Sequence, residues 1–224
     1  MATIPAVTSR SARPALLIIA HDNVLARMST EQFMAAFDQH VPPAPAAARP
    51  VVTFPSRTTF HLNGDVVQIV HIANAHTDGD SIVHFTNANV IHTGDTYMKD
   101  VYPFIDVGSK GSIDGFIAAA DAVLSRSNAN TKIIPGHGAL ANRDDLRRFH
   151  DMLVAARGKI QALIDQGLSE DQVVAASPTA EFDDPWGKGF MTPEQLHALL
   201  VSEPEEIGAL SHEPASCRSF WRRA

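Results

Sequence analysis

The chain has 224 residues, 45% of them apolar and 19% charged, with a formal net charge of -7. That length can bury one sizeable core, and an acidic balance with no basic run longer than two residues excludes a nucleic-acid or membrane-surface partner. A single cysteine, Cys217, excludes an intrachain disulfide and any Cys-rich zinc finger, and the longest apolar run (residues 15–20) is far short of the roughly 20 residues that cross a bilayer.

Residues 1–14 are small and polar and read as a leader. Arg10 and Arg13 precede the apolar run, but that run is shorter than a secretory core of about 7–15 residues and polar His21-Asp22-Asn23 follows at once. No signal peptide is read, and the cytoplasm is the default compartment. Residues 15–20 predict a short buried strand and residues 23–37 a helix. Four prolines between positions 41 and 50 mark a loop.

A β-rich block follows. Residues 58–61 and 66–72 flank Asn63-Gly64, a hairpin signal, because a type I′ turn needs positive φ at both central positions. Residues 81–85 and 90–92 predict a second strand pair around an Asn-rich turn. The period then changes. Ile113, Phe116, Ile117, Ala120, Val123 and Leu124 fall on one helical stripe. Residues 132–135 predict a strand, and a long helix begins near Asn142. Ser169 with Gln172, and Thr192-Pro193 with Gln195, are capping-box starts of two further helices. Residues 203–224 read as a loose tail. Strands followed by helices imply a layered α/β arrangement.

Eleven histidines stand out, five of them between His61 and His92. Three segments place a possible metal ligand at the end of a predicted strand. They are His76-Thr77-Asp78-Gly79-Asp80-Ser81, His92-Thr93-Gly94-Asp95 and Pro135-Gly136-His137-Gly138. Rigid strands aim such loops, and imidazole with carboxylate suits zinc, iron or manganese. Each segment alone is weak, since a Gly-Asp pair is usually a turn. Their succession is the signal.

In these three segments, and more loosely over residues 15–202, the sequence resembles the metallo-β-lactamase superfamily. It looks like the broad metallohydrolase or cyclase-like group more than the antibiotic-degrading enzymes. The resemblance implies an αββα sandwich in which His76 is the third histidine of a first metal site. Asp95 would bridge two metals and His137 would complete the second site. Two divalent ions, usually zinc, would turn a bridging water into hydroxide that attacks an ester, thioester, lactam or phosphodiester, with no protein nucleophile. The substrate would be a small molecule.

The sequence departs from that pattern in one respect. The family's His-x-His-x-Asp-His run, which supplies the remaining ligands, is absent, and residues 15–28 resemble the segment that follows it. Three of seven expected ligands remain, fewer than the three per site plus water of a catalytic zinc. The expectation is a domain incomplete in its N-terminal half that holds metal weakly. The alternative is a non-catalytic remnant acting as a binding domain. His21, His71, His84 and His92 are the histidines that could be recruited. His71 and His84 belong to strand faces, and His92 would orient Asp95 from behind. Asp78 and Asp80 read first as turn caps, with Asp80 also able to support the metal ligands from behind. Residues 97–104 read as aromatics packed on the core, and residues 186–190 as an anchor for the last helix. Missing strands would leave sheet edges open to self-association. A di-iron redox member uses the same donor types, but no flavin-binding module is present in the chain.

Overall fold

A computed structural model describes residues 16–34 and 38–202. The predicted leader 1–14, the tail 203–224 and positions 35–37 of the predicted helix lie outside the described residues.

The centre is a five-stranded sheet in the order β5-β6-β7-β8-β9, formed by β5 (Arg57–Leu62), β6 (Asp65–His71), β7 (Ser81–Phe85), β8 (Val90–His92) and β9 (Lys132–Ile134). The first four strands make an antiparallel meander, and β9 joins β8 in parallel. The Asn63-Gly64 turn takes the expected form, with φ of 53° and 78° and Leu62 opposite Asp65. Two small pairs accompany the large sheet. β1 (Ile19–His21) runs parallel to β4 (Val52–Phe54), and β2 (Gln32–Met34) is antiparallel to β3 (Gln39–Val41).

Side chains alternate along a strand, so each face of the large sheet has its own set. Val70 and Ile82, opposite one another, join the main core with Ile91 and Ile133. The helices α2 (Ile113–Arg126) and α3 (Arg143–Ile164) close this core with Phe116, Phe149 and Leu153, all fully buried. Ile69 and Val83, also opposite one another, line a cavity shared with Ile19, His21 and Phe54 of the β1–β4 pair. His21 and His71 stack at 3.6 Å between ring centroids, with planes 10° apart, and so join the two sheets.

Helix starts follow the sequence signals. Asn142 and Asp145 form a reciprocal capping box on α3, and Ser169 with Gln172 does so on α4 (Glu170–Ala175). Thr192 and Gln195 exchange backbone-to-side-chain bonds before α6 (Pro193–Ser202). The short α5 (Ala180–Trp186) was not read from the sequence; it sets Trp186 against Phe149.

The helix predicted over residues 23–37 is corrected. The observed α1 (Asp22–Met28) stops at Ser29, whose backbone N–H and hydroxyl both donate to the carbonyl of Leu25. Thr30 turns back on Ala26 in the same way, and the chain then extends into β2. Side-chain bonds to carbonyls of the preceding turn compete with helix continuation. The predicted first strand shifts to Ile19–His21, and the strand at 132–135 ends at Ile134, before Pro135, which has no N–H to give a ladder.

Candidate metal centre and ligand cavity

The first motif segment is a loop held from three sides. The Asp80 carboxylate accepts from the Thr77 backbone N–H at 2.8 Å and from its hydroxyl at 3.0 Å, so it caps the turn as expected. Its Oδ1 also lies 3.6 Å from Nδ1 of His76. Asp78 takes a different part. Both its oxygens accept from Arg27 of α1, at 2.8 and 2.9 Å, and its carbonyl accepts from Asn23. The bonded carboxylate raises the Arg27 pKa above its already high ordinary value. From the other side, the Asp106 N–H donates to the carbonyl of His76. His76 is therefore fixed and buried, its ring against Phe104.

The second segment turns sharply after β8. Gly94 has φ of 56°, and its N–H donates to Nδ1 of His92 at 3.0 Å. His92 thus holds the turn that presents Asp95. Thr93 ties the turn to β9 through two bonds to the Ile134 carbonyl. Asp95 itself is buried.

The third segment passes directly over Asp95. A Cβ on Gly136 would lie 2.2 Å from Oδ1 of Asp95, so only glycine permits the approach. His137 follows, with Nε2 3.4 Å from Asp95 Oδ1 and its side chain about half exposed. Its backbone bridges to Met98, and its carbonyl accepts from the N–H of Lys99.

The structure therefore brings Asp95 and His137 together and sets His76 and Asp95 along one cavity of about 550 Å³. Of the other histidines, His21 lines that cavity, accepts from Asn23 at the start of α1 and donates from Nε2 to the Pro55 carbonyl. His71 donates from Nδ1 to the Asp80 carbonyl, and burial lowers its pKa. His84 sits on β7 away from the cavity lining, its pKa also lowered by burial. Within residues 97–104, Tyr97 and Tyr102 are core while Phe104 reaches the cavity wall. Sequence reasoning missed Arg27. Its partner Asp78 lies in another element far along the chain, and no local pattern links the two.

No family model and no curated protein matches the sequence. Solved structures do match. The stereoselective inverting sec-alkylsulfatase Pisa1 from Pseudomonas sp. is 12% identical, with a TM-score of 0.52 over 78% of this chain and 29% of that one. A metallo-beta-lactamase from Pontibacter korlensis is 19% identical, at 0.41 over 47% of this chain and 49% of that one. TTHA1623, in a di-iron-bound form, is 19% identical, at 0.45 over 59% and 63%. The chain thus spans about half the length of the Pontibacter enzyme and less than a third of the alkylsulfatase. The protein has a metallo-β-lactamase-like α/β fold.

That fold implies a metal, and the donors present test the fit. Among the described residues no group of three or more His, Cys, Asp or Glu side chains is disposed to hold an ion. Asp95 and His137 make a pair, and His76 lies along the cavity with its Nδ1 turned toward Asp80. A catalytic zinc needs about three protein ligands and a water. The described residues alone do not meet that need.

Proposed function

We propose that this chain is a hydrolase-type domain of the metallo-β-lactamase fold. It takes a small molecule into the cavity between β1 and β6–β7, with His76, Asp95 and His137 as its metal-facing side chains. The observation that carries this reading is convergence. The first two segments line one cavity, and the third packs against Asp95 of the second, where the loop at Gly136 closes on Asp95 and His137 stands 3.4 Å from it. Structural turns alone have no need to set a buried carboxylate against one histidine and along a shared cavity with another.

Asp95 is held in place by the Gly94 turn and by His92 behind it. Asp80 restrains His76, and Phe104 covers its ring. The bonds attacked by this class of site are those of esters, thioesters, lactams or phosphodiesters. The donor shortage supports a further point: the chain by itself holds metal weakly. His and Asp serve iron as well as zinc, so the ligand types do not choose between them.

Elemental analysis of the purified chain, beside a His76→Ala, His137→Ala double variant, tests this. The expected result is well under one metal per chain, falling further in the double variant. About two metals per chain, lost in the variant, would overturn the weak-binding part and show that other residues complete the centre. A second reading, a binding domain without turnover, is favoured by the same shortage of donors. Hydrolysis of p-nitrophenyl acetate with added zinc, lost in Asp95→Asn, would exclude it.

A further inference from the structure

The face of the large sheet turned to the cavity keeps apolar side chains partly open. On β7, Ile82 belongs to the main core and is fully buried, whereas its neighbour Val83 lines the cavity and is only half-buried. Ile69, opposite Val83 on β6, stands in the same position. Ile19 of β1, Val24 and Met28 of α1 and Met34 of β2 complete an aliphatic lining, each half-buried as well. The charged groups along the lining are, by contrast, engaged within the protein. Arg27 holds Asp78 and Gln32 and acts on Asp106, which also accepts from the Ser109 N–H. Asp80 accepts twice from Thr77, and His137 stands beside Asp95. The surface that the cavity offers is therefore chiefly apolar, and such surface gains free energy when a ligand takes it out of water.

Strand register places this lining beside the motif segments. Ser81 ends the first segment and lines the cavity two residues before Val83, about 7 Å away along β7. Val83 lies opposite His92, and the three residues after His92, Thr93, Gly94 and Asp95, line the cavity too. We infer that the cavity takes an uncharged ester carrying an unbranched aliphatic chain, with the chain against Ile69 and Val83 and the ester group toward Ser81 and Asp95. The inference rests on the cavity being the site of the proposed hydrolase, and adds the class of substrate. A volume of about 550 Å³ suits such a molecule, within the roughly 300–1,000 Å³ of ligand cavities. Met28 and Met34, unbranched and flexible, can follow a chain whose conformation varies.

The test is calorimetric titration of the full chain, with metal removed by EDTA, using 1-hexanol, 1-octanol and 1-decanol, which carry the chain without a bond to cleave. One alcohol is expected per protein chain, with affinity rising roughly two- to fourfold for each added methylene. The isomer 2-ethyl-1-hexanol should bind at least about threefold more weakly than 1-octanol, because its main chain is shorter and its branch widens it. Octylamine and octanoate should each bind more weakly than 1-octanol, since burying either charge loses hydration that the engaged groups do not restore. Ile69→Trp fills the cavity from the large sheet and should abolish binding, while Ile69→Val should keep it. If Ile69→Trp melts abnormally, Val83→Phe takes its place. No binding of any alcohol, affinity independent of chain length, tighter binding of either ion, or full binding in a natively folded Ile69→Trp would each overturn the inference. These readings involve no turnover. Failure of the esterase assay bears only on the hydrolase reading, and failure of the alcohols to bind bears only on the substrate class. Where p-nitrophenyl acetate is cleaved, p-nitrophenyl octanoate should show the lower KM, and an equal or higher KM would overturn the placement of the chain.

Discussion

Arg27 shows how much one side chain can fix. Its two bonds to Asp78 tie α1 to the loop that carries His76, and Asp78 is almost fully buried. Removing the guanidinium would leave that carboxylate with only the long contact to the exposed Lys110, at 3.9 Å. Because Arg27 is partly exposed, solvent compensates some of the loss, and Arg27→Met is expected to cost about 1–3 kcal/mol. Urea denaturation of Arg27→Met, Asp78→Asn and the double variant checks this, with the double variant costing clearly less than the two singles together. Additive costs would mean that the pair does not act as a unit. At this scale the sequence was partly legible. The closeness of Asp95 and His137 was legible from their glycine-flanked segments, and the bond by which His92 holds the turn from its place before the Gly-Asp pair. The partner of Asp78 was not, because the chain between positions 27 and 78 must fold before the two charges have any relation.

Among the elements, α2 shows where local preference and packing disagree. Alanine is favoured over glycine by about 1 kcal/mol inside a helix, so propensity alone would recommend Gly115→Ala. Yet a Cβ at Gly115 would lie 1.7 Å from the Asn74 carbonyl oxygen, and that contact is backbone against backbone. The start of α2 is seated on residues 74–75 by the Ser112 N–H and hydroxyl, so neither side can yield cheaply. Gly115→Ala should therefore destabilise by about 3 kcal/mol or more, a large overpacking cost. Gly158→Ala, on α3 with nothing within 4 Å, should stabilise by about 0.5–1 kcal/mol. Thermal melts of the two variants side by side decide between packing and propensity. The same division explains which elements could be read. The β5–β6 hairpin, β7, β8, α2 and α3 are set by short-range signals: a turn dipeptide, alternation, a helical stripe, a cap. The β2–β3 pair and β4 are three-residue strands whose pairing is chosen by neighbours. Phe33 and Met34, inside the helix predicted over residues 23–37, belong to β2 and line the cavity instead.

Over the whole molecule, three imidazoles tie stability to pH. Burial holds the pKa values of His71, His84 and His197 below the ordinary 6.5. His197 donates from Nε2 to the Thr179 hydroxyl, which itself donates to Asp183, and its Nδ1 is buried with no hydrogen-bond partner. Above about pH 6.5 these groups are neutral in both folded and unfolded chains, and stability is at its full value. As pH falls through 6.5 the unfolded chain binds protons that the folded chain resists, so stability is lost until the lower folded values are reached. Melting temperature should be flat above about pH 7 and fall below about 6.5, with a shallower fall in His197→Gln. An equally steep fall in that variant would remove His197 from the account. The fold class was readable at this scale from strand and helix order, but not the cavity between the sheets, which exists only once β1 and β4 have met.

The parallel joining of β9 to β8 also governs the order in which the molecule can assemble. The meander from β5 to β8 is built from neighbours in the chain and can close through fast, short loops. Ile133 reaches Ile91 only after the whole crossover through α2 is laid down, and Ile19 must likewise await Val52. His137 lies just beyond β9, so the contact between His137 and Asp95 belongs to the late, slow part of folding. Synthesis from the N-terminus delays it further, because β9 leaves the ribosome only after the β5–β8 meander and α2.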